Sequence, residues 1–421
     1  MLHKATVRNV NRALKEVNYF QWEGDFKPLA RKALKEILEG RMEKEMCDYI
    51  GLEAYERGGE RSDYRNGSWT RHLLCEIGDL TLQVPRTRNK GFYPSVLDAY
   101  KRRHRSIDEV ILACFVLGLS TRKAAKVLAP MVGETISAST VSNIAKSLDK
   151  EVERYHNRPL QDKYRFLFFD GVVLKNKGAA SVQRRPLLCA YGITHKGICE
   201  IIDFQSSQGE SQEAWEGFLN DLYKRGITGT NCELIITDGG KGLHAALELV
   251  YPKIQRQRCW AHKTRNVLDK VRKKDWDLVK KAVQKIPYAK NRRDATKAYW
   301  LFANKWRNAY PDAVKCLERD IDDLLTFFNV KEERLWSKIR TTNAIERTFR
   351  EVRRRTRPIG VFANRKSVER IVFAVFHHLN VNWENNPLNE FTHKDQHYHW
   401  VSDLSLKIYP EFLIALCPFY C

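Results

Sequence analysis

The chain has 421 residues, 43% of them hydrophobic, with 19 Phe, 17 Tyr and 10 Trp. That apolar content suffices for two or three globular domains with packed cores and excludes a disordered polymer. Formal net charge is +22, spread along the whole length, so composition favours a polyanionic partner, because neutralising phosphates releases counterions; a merely soluble basic protein is the alternative. Ten cysteines contain no Cys-x-x-Cys pair, and neither a disulfide framework nor a basic-then-apolar leader is visible, which points to a reducing cytoplasm. No apolar run approaches the roughly 18 residues of a membrane span, so no membrane partner is expected.

Residues 28–50 place Leu29, Leu34, Ile37, Leu38, Met42, Met46 and Ile50 at helical spacing, which predicts an amphipathic helix. The polar "ERGGERSDYRNGSW" reads as a loop. In "RHLLCEIGDLTLQVPRTR" the alternation of Leu73, Cys75 and Ile77 with Leu80, Leu82 and Val84 about Gly78-Asp79 predicts a hairpin ending in Arg86 and Arg88. Residues 107–153 read as wholly helical, with a Pro/Gly-containing turn and with Ser120 and Ser137 as N-caps. A helix-turn-helix there would offer Ser139, Thr140, Asn143 and Lys146 to a DNA groove; three small packed helices with a polar outer face are the alternative.

At residue 165 the character changes. "RFLFFDGVVLKN", "RPLLCAYGITHKG" and "CEIIDFQSSQ" read as strands, the last two joined by a Lys-Gly turn, and "SQEAWEGFLNDLYKRG" as a capped helix. "CELIITDGGKGLHAALELVYP" follows as strand, glycine turn and helix. That order describes a mixed α/β sheet with helices packed on it. From "KIQRQRCWAHKTRN" onward no good strand is apparent, and residues 260–340 read as a basic helical insertion before "TTNAIERTFREVRRRTRP". On that last helix Asn343, Glu346, Arg350, Arg353 and Arg357 share a polar stripe beside apolar Ile345, Phe349 and Val352, leaving Glu346 at the border.

Asp170 and Asp238, each read as ending a strand and each followed by glycine, are well placed for the crevice where α/β sheets carry their sites. Asp before Gly is also an ordinary turn residue, and Glu346 and Glu351 are able simply to pair with neighbouring arginines. Three clustered carboxylates repel unless cations lie between them, and hard divalent ions favour carboxylate oxygen. Two Mg²⁺ or Mn²⁺ ions about 3.5–4 Å apart would activate a water or 3′-hydroxyl at a phosphodiester, with the arginines holding phosphate.

These pieces together resemble the transposases of bacterial insertion sequences grouped with the plant Mutator elements, a family with a ribonuclease-H-like core and a DDE triad. "FLFFDGV" matches the first Asp, "LIITDGGKGL" the second, and "NAIERTFREVRRRTR" the Glu with Arg353 seven positions on; "RCWAHKTRN" matches the family's Cys-x-x-His element through Cys259 and His262. "YRNGSW", "VPRTRNKGFYPSVL", "GLSTRKAAKVL" and "ISASTVSNIAKSL" are similar to its N-terminal region, so the likeness runs from about residue 28 to about 385.

The resemblance implies a DNA-binding region over 1–155, a ribonuclease-H-like core over 160–260 and 341–392, and a helical insertion over 261–340; residues 393–421 are a tail of unknown role. It implies Asp170, Asp238 and Glu346 as catalytic metal ligands, two Mg²⁺ or Mn²⁺ ions, and DNA contacts by Arg350, Arg353, Arg354, Arg357, Lys263 and Arg265 as well as Ser139, Thr140, Asn143 and Lys146. Terminal inverted repeats and target DNA would be bound by a homodimer or larger assembly in the bacterial cytoplasm, associated with the nucleoid. Trp260, Trp276, Trp300, Trp306 and Trp336 are candidates for stacking on an unpaired base, Trp260 foremost, at roughly 1–3 kcal/mol per contact. No second ligand pair follows Cys259 and His262 at zinc spacing, so Cys259 is expected to close a strand and His262 to contact the carboxylates or DNA. The rival readings are a non-catalytic DNA-binding regulator or domesticated transposase, and a metal-dependent nuclease without strand transfer.

Overall fold

The computed structural model describes residues 27–56, 61–97, 103–132, 137–178 and 181–391. The chain divides after Ala145 into two units. The expected tail at 393–421 lies outside the described residues.

In the first unit α1 (Lys27–Ile50) forms where the apolar spacing predicts it and buries Met42, Met46 and Ile50, although Leu29 and Ile37 of the expected stripe are exposed. It packs on a hairpin of β1 (Arg65–Cys75) and β2 (Gly78–Thr87) through Met42, Leu80, Leu82 and Val84. Cys75 pairs with Gly78, so the turn is Glu76-Ile77 rather than Gly78-Asp79. Gly78 enters the second strand at φ 111, a conformation closed to side-chain-bearing residues. "RNGSW" is also strand rather than loop, its alternation hidden by small and polar residues.

Three helices follow: α2 (Arg105–Val116), α3 (Thr121–Val132) and α4 (Ala138–Ala145), joined through Ile107, Ile111, Ala124, Leu128 and Val141. Both expected caps form: Ser120 Oγ accepts from Lys123 N–H and Ser137 Oγ from Thr140 N–H. The helix expected to run on from the Ser137 cap is broken by a turn at Lys146-Ser147, and α5 (Leu148–Asn157) counts with the second unit.

In the second unit β3 (Tyr164–Lys177), β4 (Val182–Thr194), β5 (Cys199–Ser206), β6 (Leu234–Thr237) and β7 (Gln255–Arg258) form one sheet in the order β5-β4-β3-β6-β7. β3, β4 and β5 are antiparallel neighbours, while β6 and β7 run parallel to β3. β7 corrects the reading of a helical segment from residue 253 onward. Its sequence, QRQR, carries no apolar residue because its fully buried side chain is Gln257, whose amide donates to Leu324 O (3.0 Å) and accepts from Phe327 N–H (2.7 Å).

Strand alternation sorts the sheet into two faces. Leu167 and Phe169 meet α6 (Gln212–Lys224) and α7 (Lys241–Val250) through Trp215, Phe218, Leu243 and Leu247. Ser211 caps α6 as expected, accepting from Ala214 N–H. Phe168 stacks edge-on with Tyr191, which meets Trp383 of the C-terminal helix on the other face. After β7 the chain runs through α8 (Trp260–Leu268), α9 (Trp276–Gln284), α10 (Arg292–Trp306), α11 (Pro311–Glu318), α12 (Ile321–Leu324) and α13 (Trp336–Ile339). The chain then returns through α14 (Asn343–Thr356) and α15 (Arg365–Glu384), which pack on each other and on β3. Arg370 of α15 clamps Asp149 of α5 bidentately at 2.6 and 2.8 Å.

Candidate active site

Contrary to the expectation that Asp170 ends its strand, β3 runs on to Lys177, with Asp170 paired to Cys189 of β4. What stops at this level is the parallel neighbour. Phe169 pairs with Thr237, the last residue of β6, so Asp238 comes next along the chain beside Asp170, across an inter-strand gap of about 4.8 Å between backbones. The crevice forms because one neighbour of β3 ends while the other continues. Asp238 Oδ1 accepts from Gly240 N–H at 2.9 Å, and Gly239 turns at φ 87. Arg258 lies where a side chain on Gly239 would project and donates to its carbonyl at 3.1 Å, so the turn requires glycine on two counts.

Glu346 reaches the same crevice from α14. Ile345, Phe349 and Val352 are buried, and Arg350, Arg353 and Arg357 are exposed, leaving Glu346 half-buried at the border as its helical position predicts. By alternation Asp170 shares the face of β3 that carries Phe168, the face on which α14 and α15 pack. His262 Nε2 stands 3.7 Å from Glu346 Oε1. The hydroxyl of Thr342 lies 3.3 Å from that oxygen, 3.4 Å from His262 Nδ1 and 3.3 Å from Cys259 Sγ.

The electrostatics record this convergence. Burial, then the charge of Asp238, push the Asp170 carboxyl up to about 7; Glu346 adds to this, while the Gly171 N–H (2.7 Å) and His262 oppose it. The hydrogen bond with Cys259, and then the negative charges of Cys259, Glu346 and Asp170, push His262 up to about 9 against the effect of burial. Burial alone would raise the Cys259 thiol, but hydrogen bonds from His262 and Thr342 outweigh it and hold the thiol low. An imidazolium therefore stands among the carboxylates at neutral pH.

Two expected DNA contacts are corrected. Lys263 is 1% exposed and ion-paired with Asp320 inside the insertion, also donating to Cys316 O at 3.1 Å. Trp260 is 2% exposed, its indole N–H donating to Leu324 O at 2.7 Å. The helical period of α8 turns both inward, and a strongly basic stretch hides this because a buried lysine looks like any other until its partner is located. Arg265 is exposed, and Arg354 pairs with Glu351 at 3.3 Å. Of the tryptophans, Trp276 and Trp300 expose substantial surface and Trp306 little. Ser139 and Asn143 are exposed on α4 and Lys146 in the turn after it, whereas Thr140 is half-buried, its hydroxyl 2.9 Å from Ser137 Oγ.

Two residues escaped the sequence reading. Thr342 carried no motif signal beyond its place before a helix. Glu210, in the loop before α6, holds its carboxylate against Gly171, where a side chain on that glycine would project. Partial burial and Asp238 raise its carboxyl. Its only signal was acidity in a loop after a core strand.

Three carboxylates and no soft donor facing the crevice suit a hard divalent cation, and a buried Asp170 carboxyl held up by its acidic neighbours is the strain such a cation relieves. Among the described residues no three His, Cys, Asp or Glu side chains already stand arranged around a metal position, so the carboxylates share the crevice without closing on one point.

An acidic crevice in a mixed α/β sheet, flanked by a helix with an outward row of arginines, is the class of site this fold defines. The family model described as Transposase, Mutator family matches residues 5–386, and the chain belongs to that family. It is 30% identical to the transposase for insertion sequence element IS905 of Lactococcus lactis subsp. lactis (strain IL1403), covering 86% of this chain and 92% of that protein. It is 32% identical to the transposase for ISRM5 of Rhizobium meliloti (strain 1021), over 84% of this chain and 88% of the relative. The same identity, over 84% and 91%, relates it to the transposase for IS256 in transposon Tn4001 of Staphylococcus aureus. Among the described residues no helix is long and apolar enough to cross a membrane.

Proposed function

We propose that the chain is a DNA transposase that binds the terminal inverted repeats of its element and carries out metal-dependent strand cleavage and transfer at Asp170, Asp238 and Glu346. The observation that carries this reading is the β3–β6 register beside the returning helix α14, which draws three carboxylates from distant parts of the chain to one crevice. The sheet order, with three antiparallel strands followed by two parallel ones, supports a ribonuclease-H-like core. The three carboxylates would hold Mg²⁺ or Mn²⁺, two ions in the full site. Bound there, such ions supply a lowered pKa for an attacking water or 3′-hydroxyl and neutralise charge on the leaving oxygen.

The chain's own residues supply the rest. Arg350, Arg353 and Arg357 project outward from α14 and hold backbone phosphates. His262 contributes a positive charge at the crevice, and Cys259 holds the histidine charged. The exposed Ser139 and Asn143 of α4 would read the element's ends, and two ends brought together imply a dimer or larger assembly.

Purified protein incubated with oligonucleotides bearing the element's ends, in Mg²⁺ and in chelator, tests the proposal. Metal-dependent nicking and joining are expected, and Asp170→Ala, Asp238→Ala and Glu346→Gln each lose them. Full activity in any of the three would sink the triad; cleavage without joining would make the protein a nuclease, and binding with no metal-dependent product a regulator.

A further inference from the structure

We infer that Thr342, held by Cys259, is a positioning residue that sets the Glu346 carboxylate in the crevice, an inference that rests on Glu346 being a metal ligand. Thr342 occupies the N-cap position of α14, yet its side chain makes no capping bond to the helix backbone. A threonine there ordinarily donates about 1 kcal/mol of stability by accepting from a backbone N–H. Here its hydroxyl is turned from that role toward side chains, and the residue is wholly buried.

A hydroxyl has one proton to give and two lone pairs. Its neighbours are Glu346 Oε1 at 3.3 Å, His262 Nδ1 at 3.4 Å and Cys259 Sγ at 3.3 Å. The sulfur already receives the Thr342 backbone N–H at 3.3 Å. The hydroxyl proton therefore goes to the carboxylate, the strongest acceptor of the three, and a hydroxyl lone pair is left facing His262 Nδ1. The Thr342 hydroxyl thus stands between His262 Nδ1 and the Glu346 carboxylate and donates to the latter.

The same unit spans the gap that the helical insertion opens. Cys259 N–H donates to Thr237 O at 2.8 Å, one residue before Asp238, and Trp260 N–H donates to Arg340 O at 3.0 Å, two residues before Thr342. Glu346 N–H in turn donates to Thr342 O at 3.0 Å. The second and third carboxylates are thus tied through Cys259 and Thr342 rather than left to the packing of a helix that returns from a distant part of the chain. Side chains that orient metal ligands in this way typically change metal affinity or activity by about 10–100-fold when removed.

The test compares Thr342→Val, which keeps the shape and removes the hydroxyl, with Thr342→Ser, which keeps the hydroxyl. Binding of Mn²⁺ alone to the full chain, followed by electron paramagnetic resonance without DNA, is read beside single-turnover cleavage across a Mn²⁺ series and the thermal unfolding midpoint. Thr342→Val is expected to weaken Mn²⁺ binding by ~10-fold and slow cleavage by ~10–100-fold with an unchanged unfolding midpoint, and Thr342→Ser to restore both. Thr342→Ala is the second hydroxyl-free variant. Wild-type Mn²⁺ binding and cleavage in Thr342→Val, with Glu346→Gln inactive, overturns this inference alone; an active Glu346→Gln overturns the triad reading and this inference with it. Unfolding of both Thr342→Val and Thr342→Ala assigns the hydroxyl a purely structural role and likewise overturns it.

Discussion

At the scale of single residues, charge is read by where its partner lies. Lys263 and Glu346 stand in equally basic surroundings in the sequence, yet Lys263 is sealed against Asp320 while Glu346 opens onto the crevice. Asp320 also takes Arg258 at 2.8 Å, so the carboxylate that neutralises Lys263 also braces the guanidinium behind the Asp238 turn. Replacing it leaves a buried ammonium without a counter-charge, and Asp320→Asn is expected to cost about 3–5 kcal/mol in urea denaturation. Burial by itself would raise this carboxyl, but Lys263 and Arg258 hold it below its ordinary 3.8. A folded-state value below the unfolded one means the stabilisation is present above pH 3.8 and lost as pH falls through the folded-state value. Acid unfolding monitored in wild type and Asp320→Asn should therefore diverge above pH 4 and converge below it.

At the scale of elements, periodicity predicted what apolar faces specify, and it failed where polar groups are satisfied by tertiary partners. The helix at Asn343–Thr356, with its arginine face and buried Ile345, Phe349 and Val352, was legible because amphipathic spacing is a local property. The strand carrying Asp170 and the strand that ends just before Asp238 were legible from their apolar runs. Strand β7 was not, since Gln257 satisfies groups from residues 324 and 327 that no local window contains. Gln257→Leu keeps the size and orphans Phe327 N–H, while Leu324 O keeps the Trp260 indole as its donor, so the expected loss is about 1–3 kcal/mol. Equal chemical denaturation midpoints for Gln257→Leu and wild type would show that β7 does not depend on that amide.

At the scale of the whole molecule, a net charge of +22 predicts DNA affinity that falls steeply with salt. Arg353 is exposed on α14, so Arg353→Ala should weaken binding about equally across DNA sequences and reduce the slope of log affinity against log salt by about 1. A sequence-dependent loss, measured by fluorescence anisotropy on end-bearing and unrelated duplexes, would assign Arg353 to base reading instead.

By itself the sequence determined the helix types, most strands, the two caps at Ser120 and Ser137, and the three carboxylates as candidates, because each is written in spacing of a few residues. Only the tertiary structure decided that β6 stops beside Asp170 while β3 continues, that Lys263 and Trp260 face inward, and that Thr342 and Cys259 join the segments bearing Asp238 and Glu346. Those facts depend on register between strands and on hydrogen bonds across a long insertion, and local sequence carries no record of which distant group fills a donor or acceptor.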